Sequence, residues 1–216
     1  MRRACAIGVF AKAPIPGHAK TRLAPLLGAE GAARLQAQLI ERSLATAGAA
    51  LPGAVTLYTD GGDDPTWADC IRRHGVPRVA QQGKDLGTRM LRALNELLAQ
   101  AETALLIGSD CPALDPATLQ AAAAQLQDRR MVFVPAEDGG YVLVGARTPL
   151  PSAFVDMPWG SDAVMAQTRA RLKSAGWCAD KDYAELPALW DLDRPEDYRR
   201  ARDAGLVQDV VGESPR

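Results

Sequence analysis

The sequence predicts an α/β fold around a mostly parallel sheet, and three observations carry that prediction. Short apolar runs, residues 4–11 and 104–107 among them, stop abruptly at turn-forming residues, as strands buried on both faces do. Segments with helical apolar spacing alternate with these runs along the chain. The runs empty into polar loops bearing glycine or proline, at the edge where open α/β sheets bind ligands.

Residues 4–11 form the first strand. Arg2-Arg3 ahead of it has the look of a signal peptide, but the apolar run is short, Lys12 ends it, and no small-residue cleavage site follows. The loop 12–23 then carries Lys12, Lys20 and Arg22 between two prolines and a glycine, so it is stiff and cationic. One reading is a phosphate cradle, because Lys and Arg make charge-assisted bonds to phosphate oxygens. The other is a solvated loop. Its place on the ligand edge favours the cradle.

Residues 29–50 read as an amphipathic helix, with Leu35, Leu39, Ile40 and Leu44 on one face. Residues 54–59 form the second strand and end in the acidic turn 60–64, where Asp64 caps a short helix over 66–74. A third strand over 76–81 leads into a polar turn and a helix whose core face is Leu91, Leu94, Leu97 and Leu98. The amide-rich start of that helix, at Gly87 and Arg89, is a weak anion site. The run 104–107 ends in Gly108-Ser109-Asp110-Cys111-Pro112, which holds the Asp110 carboxylate on rigid backbone. Asp110 either binds a divalent cation or accepts backbone hydrogen bonds.

Asp115-Pro116 opens a helix reaching about residue 127. A strand over 131–135 reverses at Asp138-Gly139-Gly140 into a returning strand. Aspartate often starts such turns. A turned-back Asp138 would also reach the pocket of Asp110, to complete a metal shell or take a proton from an acceptor hydroxyl. Ser161 or Asp162 caps a helix over 163–173, and residues 177–180 give a last strand. Asp193 and Glu196 have capping-box spacing for the final helix, which leaves Asp191 the freer acid.

At 216 residues and 47% hydrophobic, the chain suits one domain over 1–206 followed by a frayed tail, 207–216. Its formal net charge of −1 gives no basis for bulk binding of nucleic acid or anionic membrane. The four cysteines are far apart and lack CxxC spacing, which argues for reduced thiols in the cytoplasm and against zinc. No stretch is long enough to span a membrane.

Five blocks occur in one order: Lys12-Ala13-Pro14 to Lys20-Thr21-Arg22-Leu23, Asp85 to Met90, Gly108 to Pro112, Asp138 to Tyr141, and Trp190 to Asp193. Together they resemble a bacterial family of uncharacterised glycosyltransferase-A-like proteins, the transferase 1 type associated with radical-SAM and selenodomain proteins. More distantly they resemble the molybdenum-cofactor and phospholactate guanylyltransferases. The resemblance covers residues 5–200. It implies a three-layer sandwich of the nucleotide-diphospho-sugar-transferase kind, with a nucleotide or nucleotide-sugar donor and a small-molecule acceptor.

It further implies phosphate binding by Lys12, Lys20 and Arg22, with Lys20 and Asp138 catalytic and Gly87 and Arg89 against the nucleotide. Asp110 would bind Mg2+ or Mn2+, and Trp159, Ser161 and Asp191 would face the acceptor. Gly160-Ser161 stands where the family pattern has a Ser-Thr pair. Three readings follow, in order: a nucleotidyl- or glycosyltransferase, a non-catalytic nucleotide- or sugar-phosphate-binding module, and an Asp-based phosphatase. The last would want aspartates two apart, which Ser109-Asp110-Cys111 lacks.

Overall fold

The computed structural model describes residues 2–60 and 64–210. The acidic turn expected at Gly61, Gly62 and Asp63, and the tail beyond residue 210, lie outside the described residues. Among the described residues seven strands form one sheet: β1 (Arg3–Ala11), β2 (Val55–Thr59), β3 (Arg78–Ala80), β4 (Ala101–Gly108), β5 (Met131–Pro135), β6 (Tyr141–Ala146) and β7 (Tyr183–Glu185). Their spatial order is β3-β2-β1-β4-β6-β5-β7. Only β6 pairs antiparallel, with β4 on one side and β5 on the other. The tight reversal at Asp138-Gly139-Gly140 produces this antiparallel return.

The described residues form six α-helices: α1 (Ala24–Ala50), α2 (Pro65–His74), α3 (Leu86–Leu98), α4 (Pro116–Gln125), α5 (Val164–Ser174) and α6 (Pro195–Asp203). Strand side chains alternate between faces, and the sheet accordingly has two cores. Ile7, Val9, Leu105 and Ile107 pack against Ile40 and Leu44 of α1, Trp67 of α2 and Leu119 of α4. Ala6, Leu106, Phe133 and Val144 face Met90 and Leu94 of α3 and Met165 and Leu172 of α5. A third, smaller core joins the first half of α1 to α6 through Leu27, Leu35, Leu39, Trp190, Leu192 and Tyr198.

Most boundaries follow local chemistry. Gly28 breaks α1 with φ 70° and ψ 166°, so regular helix begins at residue 29, where the apolar periodicity begins. Asp64, Asp85 and Asp115 each cap a helix by accepting a backbone N–H.

Four expectations need correction. Residues 177–180 form no strand; the last strand is β7, which pairs parallel with β5. Neither Ser161 nor Asp162 caps α5. Its N-cap is Ala163, and Ser161 Oγ accepts the Ala163 N–H in a local turn. The α6 N-cap is Arg194 rather than Asp193, because the Asp197 carboxylate accepts from both Asp193 N and Arg194 N. Residues 207–210 are docked rather than frayed: Val210 is buried, its carbonyl accepts from Arg34, and Gln208 N donates to Gln38. Among the described residues no helix is long and apolar enough to cross a membrane.

Candidate active site at the strand ends

Sheet register aligns the site. Ala11 pairs with Thr59, Thr59 with Ala80, and Phe10 with Gly108. Carried just past these pairs, the same rung holds Gln81, Asp60, Lys12 and Asp110 in spatial order, one side chain from each of four adjacent parallel strands. They line a cleft of about 370 Å3 whose apolar walls include Phe10, Leu86, Met90 and Tyr141. That volume is within the usual range for a small-molecule site. A neighbouring groove of about 240 Å3 is lined by His18, Lys20, Arg22 and Asp193. Lys12 and Asp110 belong to both and form the lip between them.

Asp110 is held from several sides. Its carbonyl accepts from Leu192 N at 2.8 Å, and Arg42 Nε donates to the Pro112 carbonyl at 2.7 Å. Buried Gln36 of α1 donates to Ser109 Oγ at 3.2 Å. The Lys20 ammonium stands 2.7 Å from Asp110 Oδ1 and 3.1 Å from Asp193 Oδ1, and donates to the Leu192 carbonyl at 2.7 Å. Lys20 adopts a left-handed conformation, φ 46° and ψ 44°, unusual for a residue with a side chain. The turn aims the amine inward, leaving the side chain 5% exposed. Burial works to lower its pKa, and Asp110 and Asp193 more than reverse this, so it titrates above the ordinary lysine range.

Asp191 shares the cleft with Asp110. Its carboxyl is pushed up to about 7, first by burial and then by the charges of Asp110, Asp138 and Asp193, against the pull of Lys20. Negative charge is therefore in surplus here. Yet among the described residues no three His, Cys, Asp or Glu side chains form a group able to hold a metal. Such a site suits a cation shared with a ligand's phosphates, since magnesium is commonly held by one or two carboxylates plus phosphate oxygens.

The expected residues thus divide. Lys12, Arg89, Asp110 and Asp191 line the cleft; Lys20 and Arg22 flank it, with Arg22 3.6 Å from Asp193. Asp138 is in the turn, accepting from Gly140 N at 3.0 Å, and acts on the site through its charge on Asp191. Gly139 makes room for the chain itself: a Cβ there would lie 2.1 Å from the Asp162 carbonyl oxygen. Gly87 is likewise a packing residue, because its Cβ would lie 1.9 Å from the Phe154 carbonyl oxygen and 2.8 Å from the Trp159 ring. Trp159 stands edge-on to Tyr141, behind the cleft wall, and Ser161 is exposed beyond it. Asp60 and Gln81 were not singled out from the sequence. Their shared position just after successive parallel strands is the signal that identifies them.

The layered α/β fold is that of the nucleotide-diphospho-sugar transferases and cytidylyltransferases. The chain belongs to the family of uncharacterized proteins conserved in bacteria (DUF2064), whose model matches residues 43–161. No curated protein matches it. Among solved structures it is similar to a candidate nucleotide-diphospho-sugar transferase from Desulfovibrio desulfuricans G20. Identity is 29% over 97% of this chain and 92% of that one, with a TM-score of 0.83. Two more distant likenesses show the fold alone. The 4-diphosphocytidyl-2C-methyl-D-erythritol synthase of Anaerococcus prevotii DSM 20548 is 11% identical, covers 95% and 99% of the two chains and has a TM-score of 0.63. The glucosyl-3-phosphoglycerate synthase of Mycobacterium tuberculosis, in complex with Mn2+, uridine diphosphate and phosphoglyceric acid, is 13% identical, covers 99% and 80%, and has a TM-score of 0.54.

Proposed function

We propose that this protein is a metal-dependent transferase that moves a nucleotidyl group from a nucleoside triphosphate, or a glycosyl group from a nucleotide sugar, to a small-molecule acceptor. The observation that carries it is the lip: Asp110, with Asp191 beside it, faces cationic Lys12 at the open ends of parallel strands. The Desulfovibrio relative supports the donor class. Asp110 and Asp191 would hold the cation, Mg2+ or Mn2+, which when bound neutralises charge on the departing phosphate group.

The chain's own groups do the rest. Lys12 and exposed Arg22 offer donors to phosphate oxygens on either side of Asp110. Lys20 is saturated by three oxygens, which makes it the residue that positions Asp110. Apolar Leu86 and Met90 keep water off the flank of a bound nucleoside.

Calorimetry with nucleoside diphosphates and nucleotide sugars, with and without magnesium, tests this reading. Binding should require magnesium, and Asp110→Asn should abolish the magnesium-dependent part while the variant still melts cooperatively near the parent temperature. Undiminished metal-dependent binding by that variant would refute the role of Asp110.

A further inference from the structure

We infer that Arg200 of α6 is a positioning residue for the lip, clamping together the two segments that carry Asp138 and Asp191. The inference rests on the metal-dependent transferase proposed above. The guanidinium carbon of Arg200 lies 4.4 Å from the centroid of the Trp190 ring. The same group forks onto the Glu137 carboxylate, with Nη1 donating to Oε2 at 3.0 Å and Nη2 to Oε1 at 3.4 Å. Asp138 follows Glu137 in the chain and Asp191 follows Trp190, so each partner of Arg200 adjoins a site acid.

Backbone bonds bring the two segments together and then let them part. Leu189 N donates to the Pro135 carbonyl at 3.0 Å, and Glu137 N to the Leu189 carbonyl at 2.8 Å. Beyond that rung they turn to different neighbours. The Gly139 carbonyl accepts from Met165 N of α5, while Leu192 N donates to the Asp110 carbonyl. Asp138 and Asp191 stand on the two arms of this fork, and their charges repel: after burial, Asp110 and then Asp138 hold the Asp191 carboxyl up at about 7. A cross-link at the base of the fork opposes their spreading. Arg200 supplies it from a helix that Tyr198 and Ala201 root in the third core.

Asp191 is thereby bracketed. On one side Leu192 is tied to Asp110 and Lys20, and on the other Trp190 is tied to Arg200. A cation shared by Asp110 and Asp191 needs that fixed spacing, because magnesium demands a near-ideal octahedral shell. The residue type fits the task. A guanidinium gives a flat face to an indole and a two-pronged edge to a carboxylate at once, which an ammonium does not. Arg202, two residues on, pairs instead with Asp203 and Asp209 at 3.8 Å.

Titration calorimetry of the intact protein with adenosine, cytidine, guanosine and uridine diphosphates, each with and without magnesium, tests the clamp. The quantity read is the gain in affinity that magnesium brings. Arg200→Ala should cut that gain by about tenfold, as removal of a residue supporting a metal ligand does. The side chains of Arg200 and Glu137 are 50% and 55% exposed, so Tm should fall by no more than about 2–4 °C. Arg200→Lys should lose nearly as much of the gain as Arg200→Ala, and Arg202→Ala none. Glu137→Gln leaves the stack on Trp190 in place and should lose part of it; this variant decides if Arg200→Ala melts far below the parent. Full recovery by lysine, or an equal loss in Arg202→Ala, would mark a general effect of charge and overturn the inference. A magnesium gain that survives both Arg200→Ala and Glu137→Gln sinks this inference alone. If the parent shows no magnesium gain with any of the four, the transferase reading fails and takes this one with it.

Discussion

Replacing Lys20 with methionine removes one charge and leaves three oxygens without their donor. In the folded protein the ammonium meets Asp110, Asp193 and the Leu192 carbonyl at 2.7, 3.1 and 2.7 Å. Breaking a fully buried ion pair costs about 3–5 kcal/mol. Here Lys20 is 5% exposed while Asp110 and Asp193 are 48% and 43% exposed. Water can re-solvate both acids, so the expected loss is smaller, about 2 kcal/mol. For a chain of this size that lowers Tm by about 4–8 °C. Urea denaturation of parent and variant at several pH values reads it. The folded pKa of Lys20 is raised, so its contribution is complete below the ordinary lysine range and fades as pH climbs through the folded value. The gap between the two proteins should hold from about pH 6 to 9 and close at higher pH. A variant as stable as the parent at neutral pH, or a gap closing between pH 6 and 8, would refute the assignment of a charged Lys20 as the fastening of this loop.

Gly87→Ala should destabilise by at least about 1–3 kcal/mol, because the new methyl meets a backbone carbonyl rather than a yielding side chain. A thermal melt unchanged from the parent would show that segment 154–159 moves aside freely. Asp115→Ala removes the α4 cap at a cost of about 1 kcal/mol. Hydrogen bonding from the Thr118 backbone holds the Asp115 carboxyl below its usual range. The cap therefore contributes fully above the ordinary aspartate pKa and is lost as pH falls through the lowered one. Urea midpoints of parent and variant should differ at pH 6 and converge near about pH 2–3; a difference that persists in acid would discount the cap.

The parallel strands were legible because burial on both faces writes uninterrupted apolar runs, and the Asp64 and Asp115 caps because aspartate before proline has a local cause. Asp110 was legible for the same reason, being the first acid after the run 104–107. Long-range effects were not. β7 is three residues long and takes its place from pairing with β5, which nothing in residues 183–185 encodes locally. Asp193 shares its spacing with a capping residue, and only the fold shows that it faces Lys20, 173 positions away. Gly87 read as part of an anion-binding turn, yet a glycine's local sequence is the same whether the approaching backbone is foreign or its own.

The third core has a consequence for the order in which the molecule becomes competent. Trp190, Leu192, Tyr198 and Val210 close over the first half of α1, and the same stretch supplies Asp191, Asp193 and the Leu192 carbonyl to the lip. A ribosome synthesises these residues late. A nascent chain can pair β1 to β4 and cover them with α1 and α3 while Lys20 still has no Asp193 to meet and Asp110 has no Leu192 N–H to anchor its backbone. Closing the last hydrophobic gap and finishing the binding lip are then one event. An unfinished chain, however well its sheet is formed, presents no completed lip to a nucleotide in the cell.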